Sequence, residues 1–121
     1  MQPFKLIESD RQLGCREIQI EGELDLSVAD QLREALGRVP SESTQILISL
    51  ERCEFIDSTG IAVIVMARNQ MADEGRRVAV YGPSSQVLRT LTITGLTDSS
   101  GFNRNGLVFA NAEDALSAAM G

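Results

Sequence analysis

Apolar and polar positions alternate along some stretches of the chain and recur at helical spacing along others. Phe4-Lys5-Leu6-Ile7 reads as a short strand, and Ile18, Ile20 and Leu24 alternate with Gln19 and Glu21 as in a half-buried one. The polar residues between them, with Gly14, predict a turn, so the two segments should form a hairpin at one side of a sheet. Val28, Leu32, Ala35, Leu36 and Val39 then fall on one helical face. Ser27 offers that helix an N-cap, with Asp30 three residues on as in a capping box, and Pro40-Ser41 end it. Gln45-Ile46-Leu47-Ile48-Ser49-Leu50 is nearly continuous in apolar character, the pattern of a parallel strand buried on both faces.

Glu51 to Ile56 carries the chain to Asp57-Ser58-Thr59-Gly60, after which Ile61 to Ala72 is apolar enough and long enough for a helix. The β-branched run Val63-Ile64-Val65 favours a strand by propensity. Length decides for helix, as does the Asp-Ser-Thr start with its capping chemistry, and Gly75 is the expected stop. Arg77 to Tyr81 is a further strand, closed by Gly82-Pro83. Ser84 caps a helix through Val87, Leu88, Leu91 and Ile93, stopped by Gly95. Leu107-Val108-Phe109 is a last strand and Ala112 to Met120 a last helix. Strand and helix alternate, which predicts an α/β class with one sheet.

Composition narrows the possible chemistry. With 121 residues, 43% of them hydrophobic and 23% charged, the chain suits a single globular domain over 1–121. Seventeen acidic against eleven basic residues leave a net charge of −6, which opposes nucleic acid or an anionic membrane as the main partner. Histidine is absent, so a Ser-His-Asp triad and most zinc sites are excluded. Cys15 and Cys53 are too few and too far apart for a zinc framework. The first ten residues lack a signal pattern, and the longest apolar run is Ile61–Ala67, against about 20 residues needed to span a bilayer. A cytoplasmic protein with reduced thiols is therefore expected, with no metal and no cofactor of its own.

The Asp57-Ser58-Thr59-Gly60 junction between strand and helix is the most informative place for chemistry. A serine in the first turn of a helix lies near unpaired N–H groups and the positive end of the dipole, which favour a phosphoryl group. Plain N-capping explains the same residues. Asp57 and Thr59 flank Ser58 as alternative caps, however, so Ser58 is not needed for that task. Ile61–Ala67 is apolar around the whole helix, so one face should pack on the sheet and the other should be exposed as a docking surface beside Ser58. Asp98-Ser99-Ser100-Gly101 repeats the motif with no apolar helix after it and reads as a turn. A receiver domain phosphorylated on Asp57 would need an acidic pair after the first strand and a lysine after the last. Glu8 and Asp10 fit the first requirement poorly, and Lys5, the one lysine, lies at the wrong end. Cys15 and Cys53 read as buried thiols, Arg76-Arg77 as a solvated corner, and Glu21, Glu23 and Asp25 around Gly22 as a strand end or part of a docking rim.

Three segments together resemble a known family. Glu21-Gly22-Glu23-Leu24-Asp25, Phe55-Ile56-Asp57-Ser58-Thr59-Gly60-Ile61, and Val87-Leu88-Arg89 through Gly95-Leu96 resemble a stand-alone STAS domain, and within that group the bacterial anti-anti-sigma factors (anti-sigma factor antagonists). The resemblance runs over nearly the whole chain, departing at Ile61, where leucine is usual, and in the polar loop Ser99–Gly106. It implies a mixed β-sheet with helices packed mainly on one face. It implies an anti-sigma factor with serine kinase activity as partner, Ser58 as the phosphoacceptor, and a metal-dependent serine phosphatase that reverses the modification. Asp57 would orient the serine, and Asp25, Asp57, Ser58, Thr59, Gly60 and Ile61 would form the partner-binding rim. Such a protein is not an enzyme. A second reading is a non-switching STAS adaptor subunit of a transport or signalling complex.

Overall fold

The structure is a computed structural model that describes residues 3–12, 14–94 and 107–120. Its elements are β1 (Lys5–Gln12), β2 (Cys15–Leu24), α1 (Ala29–Gly37), β3 (Gln45–Ile56), α2 (Ser58–Asp73), β4 (Arg77–Tyr81), α3 (Ser85–Ile93), β5 (Val108–Phe109) and α4 (Ala112–Met120). The five strands form one mixed sheet in chain order, β1-β2-β3-β4-β5. β1 and β2 are the expected antiparallel hairpin, and β2 through β5 run parallel.

The core explains the layering. Ile18 and Ile20 of β2, Ile46, Ile48 and Leu50 of β3, and Val78 and Val80 of β4 share one sheet face with the buried sides of α1, α2 and α3. On the other face Leu47, Ala79, Tyr81 and Phe109 meet Ala115 of α4. β3 is thus apolar on both faces, whereas β2 alternates Ile18 and Ile20 with the half-buried Glu17, Gln19 and Glu21 where no helix covers it. Crossovers between parallel strands almost always have one hand, and here they carry three helices to the same face. This is the mixed sheet with helices mainly on one side that the resemblance implies. No helix among the described residues is long and apolar enough to cross a membrane.

Tertiary packing overrides local propensity in α2. Val63-Ile64-Val65 disfavours helix by at most about 0.7 kcal/mol per residue. Burying a valine or isoleucine side chain returns roughly 1.5–3 kcal/mol, and Val63 and Ile64 are both buried. The expected exposed face proves narrow. Ile61, Val63, Ile64, Ala67 and Met71 pack inward, Val65 is half-buried, and Ala62 and Met66 alone of the apolar run 61–67 face outward.

Several expectations need correction. β1 and β3 are longer than their apolar runs, because β3 continues through Ile56 alongside β2, with register shifts between Gln19 and Glu21 and between Gly22 and Glu23. Gly22 takes φ +85° at the second of these, a left-handed conformation that suits glycine. Ser27 does not cap α1, whose N-cap is Val28 with no side-chain bond; the Ser27 hydroxyl donates to Asp25 Oδ1 instead. Ser84 does cap α3, accepting from the Val87 N–H at 3.2 Å. Ile93 faces solvent and is 78% exposed. Gly95 and the Asp98–Gly101 motif lie outside the described residues.

Arg76-Arg77 is not a solvated corner. Arg76 donates through Nε to the Ser43 carbonyl at 2.8 Å, and through its terminal nitrogens to the Pro40 carbonyl at 3.0 Å and to Glu74. It thereby ties the loop after α1 to the turn after α2. Arg77 lies over the Phe109 ring at 5.3 Å and donates to the Ala115 carbonyl, and burial lowers its pKa.

Two outcomes follow for thermal denaturation. Val63→Lys places an unpaired charge in the core at a site 4% exposed and should lose about 3–5 kcal/mol, enough to unfold a marginal domain, whereas Met66→Lys should melt within a few degrees of the parent. Arg76→Ala takes the Arg76 donor from the Ser43 carbonyl and leaves the Pro40 carbonyl with the Ser43 N–H alone, and should cost roughly 1–3 kcal/mol.

Candidate functional site

The parallel strands β2 and β3 end side by side, at Leu24 and Ile56, and the next residues of each chain segment form the site. Asp57 is the N-cap of α2 in extended conformation. Its Oδ1 accepts from the Gly60 N–H at 3.0 Å, and its Oδ2 accepts from the Leu26 N–H at 3.1 Å. Its own N–H donates to the Leu24 carbonyl at 3.2 Å. One residue therefore starts the helix and holds the β2–α1 turn against it. That turn is closed by the Val28 N–H on the Asp25 carbonyl, while Asp25 Oδ1 accepts from the Ser27 N–H and hydroxyl.

Gly60 is required by space rather than by dihedral angle. A Cβ there would lie 2.6 Å from Leu24 Cγ and 3.1 Å from the Leu24 carbonyl oxygen. Leu24 is fully buried, so neither group can yield freely. The close approach of the α2 start to the β2 end depends on this glycine.

With Asp57 as cap, Ser58 is the first residue of α2 and is exposed. Gly60 N–H is used by Asp57 and Ile61 N–H by the Asp57 carbonyl. The Ser58 and Thr59 N–H groups precede the first intrahelical bond, at the positive end of the helix dipole. An acceptor group on the Ser58 oxygen would meet that potential on one side and the Asp57 carboxylate on the other. The local field is mixed, and anion binding by the site as it stands is not its evident purpose.

The six residues named from the sequence divide by burial. Asp25, Asp57, Ser58 and Thr59 are exposed or half-exposed. Gly60 and Ile61 are buried, Ile61 at 5% exposure, and they support the surface from below. Asp57 makes no hydrogen bond to the Ser58 hydroxyl; each of its oxygens accepts from a backbone N–H group. The acidic cluster also divides. Asp25 joins the site, while Glu21 accepts from Gln19 on the uncovered face of β2.

Sequence reasoning missed Leu26. It is 73% exposed, in the turn that Asp57 holds, and the signal was a leucine set between Asp25 and Ser27 in a polar turn. Met66, 64% exposed, lies two turns along α2 from Ser58 with Ala62 between them. Among the described residues no group of three or more His, Cys, Asp or Glu side chains could hold a metal. Both thiols are buried, and burial raises the pKa of each, so neither is poised as a nucleophile.

Comparison with known proteins places these features in a family. The family model described as "Mlab, STAS domain" matches residues 7–118. The "Anti-sigma-B factor antagonist" of Staphylococcus aureus (strain NCTC 8325 / PS 47) is 30% identical over 93 residues, covering 76% of this chain and 86% of that protein. An anti-sigma factor antagonist from Mycobacterium paratuberculosis superposes with a TM-score of 0.80 at 22% identity, covering 98% of this chain and 96% of that one. The Bacillus cell fate determinant SpoIIAA in its phosphorylated form gives a TM-score of 0.68 at 19% identity, covering 98% and 100%. At such identities the two structures establish the fold and no more. The family model and the relative at 30% identity carry the assignment further, and the protein belongs to the STAS domain family.

Proposed function

We propose that the protein is an anti-sigma factor antagonist whose binding is switched off by phosphorylation of Ser58. The unmodified chain docks on an anti-sigma factor with serine kinase activity and so frees the sigma factor. The observation that carries this reading is the division of labour at the start of α2. Asp57 supplies the cap, which leaves an exposed serine hydroxyl with no structural task. The named role of the S. aureus relative supports the anti-sigma factor as partner. A non-switching adaptor would have no use for that free hydroxyl, so the switch is the better reading.

In the phosphorylation step the Ser58 oxygen attacks the γ-phosphorus of ATP bound to the kinase. The bond from that phosphorus to the β–γ bridging oxygen breaks and ADP leaves. The hydroxyl proton passes to a base on the kinase; Asp57 makes no hydrogen bond to the Ser58 hydroxyl, its oxygens accepting from the Leu26 and Gly60 N–H groups. A metal-dependent serine phosphatase returns the hydroxyl by hydrolysis. The phosphate adds about −1.5 to −2 charge near neutral pH. The helix N-terminus favours it by roughly 0.3–1 kcal/mol, and Asp57 opposes that gain, so the free protein should neither melt nor refold. In the complex the balance changes. Docking strips water from the phosphate beside a partner that itself holds nucleotide phosphates, and an anion desolvated without a new cation is costly.

Incubation with the purified anti-sigma factor and ATP, followed by mass spectrometry, tests the assignment: one phosphate is expected on Ser58, and modification confined to Ser99 or Ser100 would end it. Ser58→Asp should keep the parental melting temperature and circular dichroism while losing at least tenfold in affinity, which takes only about 1.4 kcal/mol. Ser58→Ala should bind and resist the switch. Met66→Lys should weaken binding without unfolding the chain. Asp57→Ala removes a cap and a second backbone acceptor; it should cost roughly 2–3 kcal/mol in stability, and the phosphorylation rate should fall because the α2 start is no longer held.

A further inference from the structure

We infer that Leu26 is the apolar anchor by which this chain engages its partner, and that it fits a shallow apolar pocket rimmed by basic side chains on the anti-sigma factor. The inference rests on the reading of Ser58 as the switch, and it names what the surface around that serine recognises.

Three observations converge on this residue. Leu26 is 73% exposed, so its side chain gains almost nothing from folding. Its backbone is nevertheless fixed. Its N–H donates to Asp57 Oδ2 at 3.1 Å, and the turn around it is closed by the Val28 N–H on the Asp25 carbonyl and by Ser27 on Asp25 Oδ1. A single exposed leucine on a surface is ordinary. A leucine presented by a braced turn, through the residue that also starts the helix bearing Ser58, is pre-organised for contact, and pre-organisation lowers the entropy lost on binding. Ala62 and Met66, at four-residue spacing along α2 from Ser58, are exposed as well.

The charges around this surface define the partner. Asp25, Asp30 and Asp57 lie in or beside the turn, and Asp30 is paired with Arg33 of α1. The remaining carboxylates leave the rim negative, in a chain of net charge −6. Complementarity then requires cations around the pocket that receives Leu26. A second copy of this chain would bring carboxylates against carboxylates, which disfavours self-association through this face.

Binding of the purified anti-sigma factor, measured by surface plasmon resonance at two salt concentrations, tests the proposal. Leu26→Ala should melt like the parent and bind at least tenfold more weakly, with the loss in the off-rate and the salt dependence unchanged. Asp25→Asn, which keeps an Oδ1 acceptor for Ser27, should instead lower the on-rate and flatten its salt dependence. Ile93→Ala, equally exposed at the far end of α3 from the Ser58 edge of the sheet, should bind as the parent does. If Ser58→Asp abolishes binding while Leu26→Ala binds normally, the anchor is overturned and the switch stands. If the unmodified chain does not bind the anti-sigma factor, both fall. Concentration-dependent dimerisation that Leu26→Ala abolishes would assign the residue to a self-contact and overturn the proposal.

Discussion

The site depends on one carboxylate. Asp57 accepts from the Gly60 N–H with one oxygen and from the Leu26 N–H with the other, while its own N–H reaches the Leu24 carbonyl. Two chain segments distant in sequence, the end of β2 with the turn that follows it and the first turn of α2, are thereby held at one edge of the sheet. Each bond contributes only about 1 kcal/mol net, but together they fix geometry that packing alone would leave loose, because the edge is where the core ends. Gly60 completes the arrangement by letting α2 approach Leu24 without a side chain between them.

This construction suits a surface that is modified without being remodelled. The Ser58 hydroxyl is exposed at a helix start whose cap is supplied by another residue. In the proposed switch, added charge there alters what can dock and leaves the fold in place. The strands and helices described beneath that edge are closely packed. β3 is buried on both faces from Ile46 to Leu50, α2 packs Ile61, Val63 and Ile64 into the core, and Arg76 pins the loops at the opposite end of the helices to one another.

Much of the fold was legible in the residues because its signals are local. Alternation in β2, the continuous run in β3, the helical spacing in α1, and the Asp-Ser-Thr start of α2 each reflect a periodicity or a cap within one segment. The hairpin, the parallel centre and the α/β class follow from these. Element ends were less legible. β1 and β3 extend past their apolar runs because neighbouring strands supply hydrogen-bond partners, which no single segment announces. Serine before an apolar run reads as a cap, yet the Ser27 hydroxyl donates to Asp25 Oδ1 and the N-cap position falls on Val28.

For the site, the sequence by itself determined the chemistry available: an exposed-type serine at a helix start, flanking carboxylates, no histidine, and a net charge of −6. Only the tertiary structure decided how those residues share the work. It placed both Asp57 oxygens on backbone N–H groups, buried Gly60 and Ile61, and set Leu26 out in solvent beside Ser58. It also turned Arg76 and Arg77 from corner charges into bonds that cross the chain. The reason is the range of the forces. Capping, periodicity and charge act over a few residues and can be read from neighbours in the chain. Burial and hydrogen bonding between residues 31 apart exist only once the sheet has brought Leu24 and Ile56 side by side.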